Sequence, residues 1–261
     1  MSYFSAFALI ALAAPAALAQ NAADGGKIPC MHVDGAPAAM LNWRDIGGGP
    51  QPVVYIGDIH SSAAIKRVLA AAMPDFARAG AGALAVEMLH ASDQPLLDRY
   101  GVDPEVRRKI GRRLGTAWMA PAEDYLKLFD AAHAAGLDLI ALNPDPTPGE
   151  AGDSDGSVGP GAPSARNARM AATVAALSRR KGGGRVIVFI GADHARRDAQ
   201  PSQLRDDGVD SRSYAFAQPG DPAVASLRTA GLDGGNWLLP GGAAYDGLIA
   251  VPEVLRETPA R

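Results

Sequence analysis

Two apolar runs in this chain each end in the pattern Gly-x-x-His. The first run passes Asp58 and reaches His60, and the second reaches His194. A third apolar run ends at Glu87. Two imidazoles and two carboxylates can hold a divalent metal that activates water. They can also act without metal, with one histidine as a general base that a carboxylate orients, or they can bind an iron-containing ligand.

The candidate catalytic residues are therefore His60, Glu87, His194 and Asp58, and the candidate metal ligands are His60, Glu87 and His194. One Gly-x-x-His alone is more often a turn at a strand end with a surface histidine. Two copies after equally apolar runs, with Glu87 ending a third run, favour a site. Asn143 ends a fourth apolar run and is a further polar residue expected near the other three strand ends. These residue types suit an enzyme and a binding protein alike.

Apolar runs of strand length alternate with helix-like stretches from Pro52 onward, which predicts an α/β fold. The predicted strands are 52–57, 83–87, 137–143 and 185–191, and the predicted helices begin at Ser61 or Ser62, Asp93, Pro121 and Ser164. We expect a mainly parallel sheet with helices on both faces, and the C-terminal strands allow antiparallel pairing. Because parallel strands end at one edge, the polar residues are expected to meet there.

The predicted helix 164–181 contributes one more polar residue to this edge. Arg166 lies on the same helical stripe as Met170 and Leu177, which mark the buried face. The helix runs antiparallel to the strand that follows, so its first turn is expected level with His194. This places Arg166 at the rim of the cleft. The alternative is an arginine whose stem covers the sheet edge while its head reaches water.

Residues 1–19 have the pattern of a signal peptide, with an apolar core that ends in Ala17-Leu18-Ala19 before Gln20. We expect cleavage there and a periplasmic or secreted protein. Residues 20–51 form a predicted N-terminal lead-in, and 52–261 a single domain. Within it, 144–163 is rich in Pro, Gly, Asp and Ser and predicts a mobile loop beside the cleft.

The composition excludes several classes of partner. The formal net charge of the 261 residues is −3, and the longest basic run is the triplet at 179–181, so nucleic acid is not expected. No apolar run after the signal segment reaches the length of a membrane span. Cys30 is the single cysteine, so an intrachain disulfide is excluded. A homodimer stays open.

An ordered set of short motifs resembles the Tiki superfamily, in its ChaN-type haem-binding uptake branch. The set spans roughly residues 52 to 195 and comprises Gly57-Asp58-Ile59-His60, Glu87-Met88-Leu89, Gln94 with Leu97, Trp118, the stretch 125–143, Arg166-Asn167-x-x-Met170-Ala171 and Gly191-x-x-His194. The chain departs from the family pattern at Asp58, where the ChaN and esterase branches usually have Glu. The shorter side chain still supplies a carboxylate.

The resemblance implies an α/β fold that binds haem or a divalent metal ion at a cleft, in iron or haem uptake in the bacterial envelope. The cofactor-binding candidates are Arg166, Asn143 and Tyr245. A haem iron needs an axial His, Tyr, Cys or Met. Tyr245 and Tyr214 lie in the tail outside the matched stretch, and with His60 and His194 they leave the axial ligand open. Animal Tiki proteins and the distant erythromycin esterases imply an alternative: a metal-dependent hydrolase of peptides or esters that uses the paired Gly-x-x-His motifs. A third reading is a non-catalytic envelope protein that binds a protein partner.

Overall fold

The structure is a computed structural model that describes residues 31–33, 36–117, 122–145 and 165–257. The predicted signal peptide, Cys30 and Trp118 lie outside these residues. Of the predicted loop 144–163, only Pro144 and Asp145 are described. The residues from His32 onward form one compact unit.

Nine strands are present among the described residues: β1 Met31–Val33, β2 Ala36–Met40, β3 Val53–Asp58, β4 Ala81–His90, β5 Asp138–Asn143, β6 Arg185–Gly191, β7 Ser211–Phe216, β8 Trp237–Pro240 and β9 Gly247–Ala250. They form one sheet in the order β1-β2-β8-β9-β7-β3-β6-β4-β5. The strands from β9 to β5 pair in parallel, whereas β8 is antiparallel to both β9 and β2. The predicted α/β class with a mainly parallel sheet is confirmed.

The same residues contain ten α-helices and one 3₁₀ turn, Ala91–Asp93. The helices are α1 Trp43–Gly47, α2 Ala63–Arg78, α3 Gln94–Leu97, α4 Pro104–Ala117, α5 Ala122–Ala134, α6 Ala165–Ser178, α7 Ala192–Ala195, α8 Gln200–Asp206, α9 Pro222–Thr229 and α10 Pro252–Leu255. None of them combines the length and apolar character that a bilayer crossing needs.

Apolar side chains of the central strands alternate between two cores. On one face of the sheet, Val54 and Ile56 pack with side chains of α2 and α5, such as Leu69 and Phe129. On the other face, Tyr55 and its neighbours pack with side chains of α6 and α8. We call these the α2 face and the α6 face. Successive strand residues point to opposite faces, so polar residues at the strand ends are also divided between them.

Several boundaries differ from the sequence-based prediction. The helical region expected from Asp93 to about Leu114 is broken between α3 and α4, where Gly101 has a φ of 79° that favours glycine. The strand expected at 83–87 extends to His90. The lead-in contributes β2, which pairs with the unpredicted strand β8. Both strands are short, and β8 follows a glycine pair, so neither has the long apolar alternation that reveals a strand.

The helix that follows β3 starts with two side-chain caps. Ser62 Oγ accepts a hydrogen bond from Ile65 N at 3.2 Å, and a carboxylate oxygen of Glu257 accepts one from Ala64 N at 3.0 Å. The Ser62 hydroxyl also donates to Glu257. The C-terminal segment therefore satisfies backbone donors at the start of α2, where the helix dipole favours a negative charge.

We predict that Glu257→Ala lowers the free energy of unfolding by about 1 kcal/mol, the usual cost of losing a helix cap. Urea or thermal unfolding measures it. The matched control is Glu253→Ala, which removes an exposed pair with Arg67 (2.9 Å) on the same segment. Such surface pairs contribute roughly 0–1 kcal/mol, so the control should cost less. Equal losses in the two variants would contradict the capping role of Glu257.

Candidate functional site

A buried carboxylate ends β3 on the α2 face. Asp58 Oδ1 accepts a hydrogen bond from Lys66 Nζ at 2.7 Å. Its Oδ2 lies 2.9 Å from His60 Nδ1 and accepts from Tyr125 OH at 3.2 Å. The Asp58 and Lys66 side chains have no solvent exposure, while His60 is 25% exposed. A carboxylate that orients a histidine in this way is the arrangement of a general base or of a ligand histidine.

The cation beside Asp58 comes from the first turns of α2. Lys66 Nζ also donates to the backbone carbonyls of Ile59 (3.0 Å) and His60 (2.9 Å), and it lies 4.8 Å from the centre of the Tyr125 ring. Burial lowers the pKa of Lys66, and the charge and hydrogen bond of Asp58 oppose this effect only in part. The three acceptors match the three N–H donors of an ammonium group.

A second buried carboxylate lies in β4 and faces α6. Glu87 Oε1 accepts from Arg166 Nη2 at 2.6 Å, and Oε2 accepts from Gly191 N at 2.7 Å. Burial alone would raise the pKa of Glu87. His194 and His60 while they are protonated, the Arg166 guanidinium and the Gly191 hydrogen bond together outweigh burial and hold that pKa below its usual value.

Arg166 links three of the predicted residues. Its Nε donates to Asn143 Oδ1 at 2.8 Å, and its Nη1 lies 3.4 Å from His194 Nε2. Burial lowers the pKa of His194, Glu87 opposes this, and the positive charge of Arg166 adds to it. His194 is therefore neutral near pH 7, so its 3.4 Å approach to Glu87 is not an ion pair. Arg166 thus contacts Asn143, His194 and Glu87, three of the residues expected at the same sheet edge.

The Asp58 group on the α2 face and the Glu87 group on the α6 face meet at Gly191. Strand β6 lies between β3 and β4, and Asp58 is the register partner of Gly191. A Cβ atom at Gly191 would lie 3.1 Å from His60 Nε2, 3.4 Å from Glu87 Oε2 and 3.5 Å from His194 Cδ2. Because Gly191 has no side chain, the space between the two histidines is free of a methyl group that would crowd His60, Glu87 and His194.

Comparisons with known proteins show which family this chain resembles. Residues 49–148 match the family described as haem-binding uptake, Tiki superfamily, ChaN. The resemblance to the ChaN branch of the Tiki superfamily is confirmed. No curated protein sequence matches the chain. The ChaN-type segment 49–148 contains Asp58, His60, Glu87 and Asn143, whereas Arg166 and His194 follow it in the chain.

Two solved structures share the fold. The type III effector HopBA1 superimposes with a TM-score of 0.54 at 17% identity, over 77% of this chain and 87% of that chain. ChaN of Campylobacter jejuni, whose structure describes cofacial haem binding, superimposes with a TM-score of 0.52 at 11% identity, over 77% of this chain and 87% of that chain. At these identities the likeness shows the fold alone.

Tyr245 and Tyr214, the two candidate axial ligands in the C-terminal part of the chain, differ in their position. The Tyr245 hydroxyl donates to the carbonyl of Ala192, next to Gly191, at 3.0 Å. The Tyr245 side chain is half-buried, and burial raises the pKa of the phenol. Tyr214 is fully buried in the core of the α2 face. Tyr245 is therefore the tail tyrosine that lies beside Gly191.

The structure does not support the metal prediction for His60, Glu87 and His194. Among the described residues, no group of three histidine, cysteine or acidic side chains is arranged to hold a metal ion. The physical reason is that cations already bind the carboxylates: Lys66 binds Asp58 and Arg166 binds Glu87. A divalent ion would have to displace a buried partner.

Sequence reasoning missed Lys66 and Tyr125 as members of this network. Both lie on the buried stripes of amphipathic helices, next to Ile65 and Leu128. A lysine on an apolar stripe was a signal, because lysine is almost never fully buried unless it is paired. Tyr125 gave no signal, because a tyrosine on such a stripe is ordinary core.

We predict that the free energy of unfolding falls as the pH drops below about 6.5, the pKa of histidine in an unfolded chain. The lowered pKa of His194 means that the unfolded chain binds its proton more tightly, so acid favours unfolding. Urea unfolding at about pH 7.5 and about pH 5.5 should show a smaller fall for His194→Gln. The exposed His133 is the control, and His133→Gln should keep the wild-type fall. Identical falls in all three proteins would exclude a neutral, buried His194.

Proposed function

We propose that this chain is an exported, haem-binding protein of the uptake type, and that the cleft around Gly191 holds the haem. The observation that carries the proposal is the match of residues 49–148 to the haem-binding ChaN family. ChaN of Campylobacter jejuni binds haem cofacially. Export is supported by the signal-like pattern of residues 1–19.

The donors at the cleft fit a haem iron, which takes an axial ligand such as histidine or tyrosine. The bond from His60 Nδ1 to Asp58 sets the orientation of the ring, and Nε2 borders the space above Gly191. Tyr245 supplies a phenol beside Ala192. Haem, when bound, supplies the iron centre, and the chain supplies a ligand, its orientation and the surrounding charges.

The charges at the cleft suit an anionic porphyrin. The site carboxylates Asp58 and Glu87 are each matched by a cation, which limits their repulsion of the propionates. Among the described residues, Arg166 directs three of its five N–H donors to Asn143, His194 and Glu87, and its side chain is 16% exposed. The remaining donors suit a propionate, since arginine binds carboxylates in a planar fork.

The test is a haem titration of the full purified chain, followed by the Soret band, with Gly191→Ala as the central variant. The φ of Gly191 is −49°, so alanine fits the backbone, but the methyl group fills the space between the histidines. We expect a saturable Soret band for the wild type and at least about tenfold weaker binding for Gly191→Ala, or about 1.4 kcal/mol. His133→Ala is the control and should bind as the wild type does.

Two further variants identify the axial ligand in the same titration. His60→Ala should shift or remove the Soret band if His60 binds the iron. Tyr245→Phe should do so if Tyr245 binds it, because a phenyl ring cannot ligate iron. A wild type without a Soret band contradicts the haem proposal, and normal binding by Gly191→Ala, His60→Ala and Tyr245→Phe contradicts its place at this cleft.

A second candidate function is acid–base hydrolysis without metal, and the 2.9 Å contact between His60 Nδ1 and Asp58 favours it. In this function His60 Nε2 accepts a proton from the water that attacks the acyl carbon, and Asp58 stabilises the imidazolium that forms. The imidazolium then gives this proton to the alcohol or amine that leaves as the acyl bond breaks. The protein should then hydrolyse an ester or peptide panel equally well with and without a chelator, and His60→Ala should lower the rate by about 10²–10⁴-fold. Hydrolysis that a chelator abolishes would contradict this mechanism.

A further inference from the structure

Lys66 is a lysine on the otherwise apolar face of α2 that packs against the sheet. Its neighbours Ile65 and Leu69 are core residues, and the lysine is just as fully buried. Moving an isolated ammonium group out of water is costly unless its donors and its charge are matched. The role of Lys66 therefore follows from the groups that its ammonium contacts.

The three groups that accept its hydrogen bonds lie at the end of β3 and in the turn that follows, which carries His60. The ammonium binds the Asp58 carboxylate and the carbonyls of Ile59 and His60, at 2.7, 3.0 and 2.9 Å. One side chain thus holds the last residue of β3 and the backbone of the next two residues together. Rotation of the Asp58 side chain would break its bond to Lys66, so the second carboxylate oxygen keeps its direction towards His60.

This anchoring of Asp58 also determines which ring nitrogen of His60 carries the proton. An ionised carboxylate only accepts hydrogen bonds, so its partner His60 Nδ1 carries the proton. The lone pair of the neutral ring is then on Nε2, the nitrogen that borders the space above Gly191. Tyr125 adds a second donor to the same oxygen and helps to fix it.

The structure assigns Lys66 a positioning role: through Asp58 and the turn 59–60, it fixes the ring of His60 so that Nε2 faces the cleft at Gly191. Lys66 does not reach the cleft itself, because its side chain is fully buried. The inference rests on the proposed function only in taking His60 as a working group of the site, and it applies equally to haem binding and to hydrolysis.

The first experiment is ¹⁵N-edited NMR of the haem-free protein at one fixed pH, with the His60 signals assigned by their loss in His60→Ala. The wild type should show a hydrogen-bonded, slowly exchanging Nδ1 proton on His60. Its absence in the wild type would overturn the assignment. Lys66→Met should remove this signal, because the carboxylate and the turn lose their common anchor. Lys66→Gln, which keeps polar packing but lacks the charge and two donors, is the second variant.

The control for general loss of stability is Leu69→Ala, which leaves a cavity in the same helix face without touching Asp58. It should keep the His60 signal. In the haem titration, Lys66→Met or Lys66→Gln should bind about 10–100-fold more weakly, as residues that orient a ligand usually do. A folded Lys66 variant with the wild-type His60 signal overturns the positioning role. A wild type that binds no haem defeats the proposed function instead, and the NMR result still decides the role of Lys66.

Discussion

The two buried carboxylates of the site each bind a cation, and the helices on the two faces of the sheet supply these cations. Asp58 on the α2 face is matched by Lys66, and Glu87 on the α6 face is matched by Arg166. A buried charge without a partner would cost several kcal/mol, so the helices, the strand ends and the charges depend on one another. The position of the histidines follows, because each contacts one of these carboxylates.

The strand ends and the Gly-x-x-His repeats were enough to predict that the polar residues converge. Parallel strands share an edge, and Arg166 was placed correctly because Met170 and Leu177 mark the buried stripe of its helix. The sequence was less informative where a residue contradicts its local pattern. Lys66 lies on an apolar stripe, and its partners are defined only when α2 packs under the end of β3.

The antiparallel extension of the sheet also could not be predicted from the sequence pattern. Strands β2 and β8 are short, and their pairing joins segments almost two hundred residues apart, so nothing local indicates it. The convergence of the two carboxylate groups at Gly191 could not be predicted from the sequence for the same reason. Which strand lies between β3 and β4 is a matter of sheet order, and periodicity within a strand carries no information about its neighbours.

The aspartate at position 58, where the family resemblance implies a glutamate, is consistent with this network although its side chain is shorter. Its two oxygens accept bonds from Lys66, His60 and Tyr125 at 2.7 to 3.2 Å, so the short side chain is fully satisfied close to the strand. Since Lys66 also binds the carbonyl of His60, the carboxylate and the imidazole share one anchor. The reach that one methylene would add is therefore not needed here, because the turn is held close to the carboxylate.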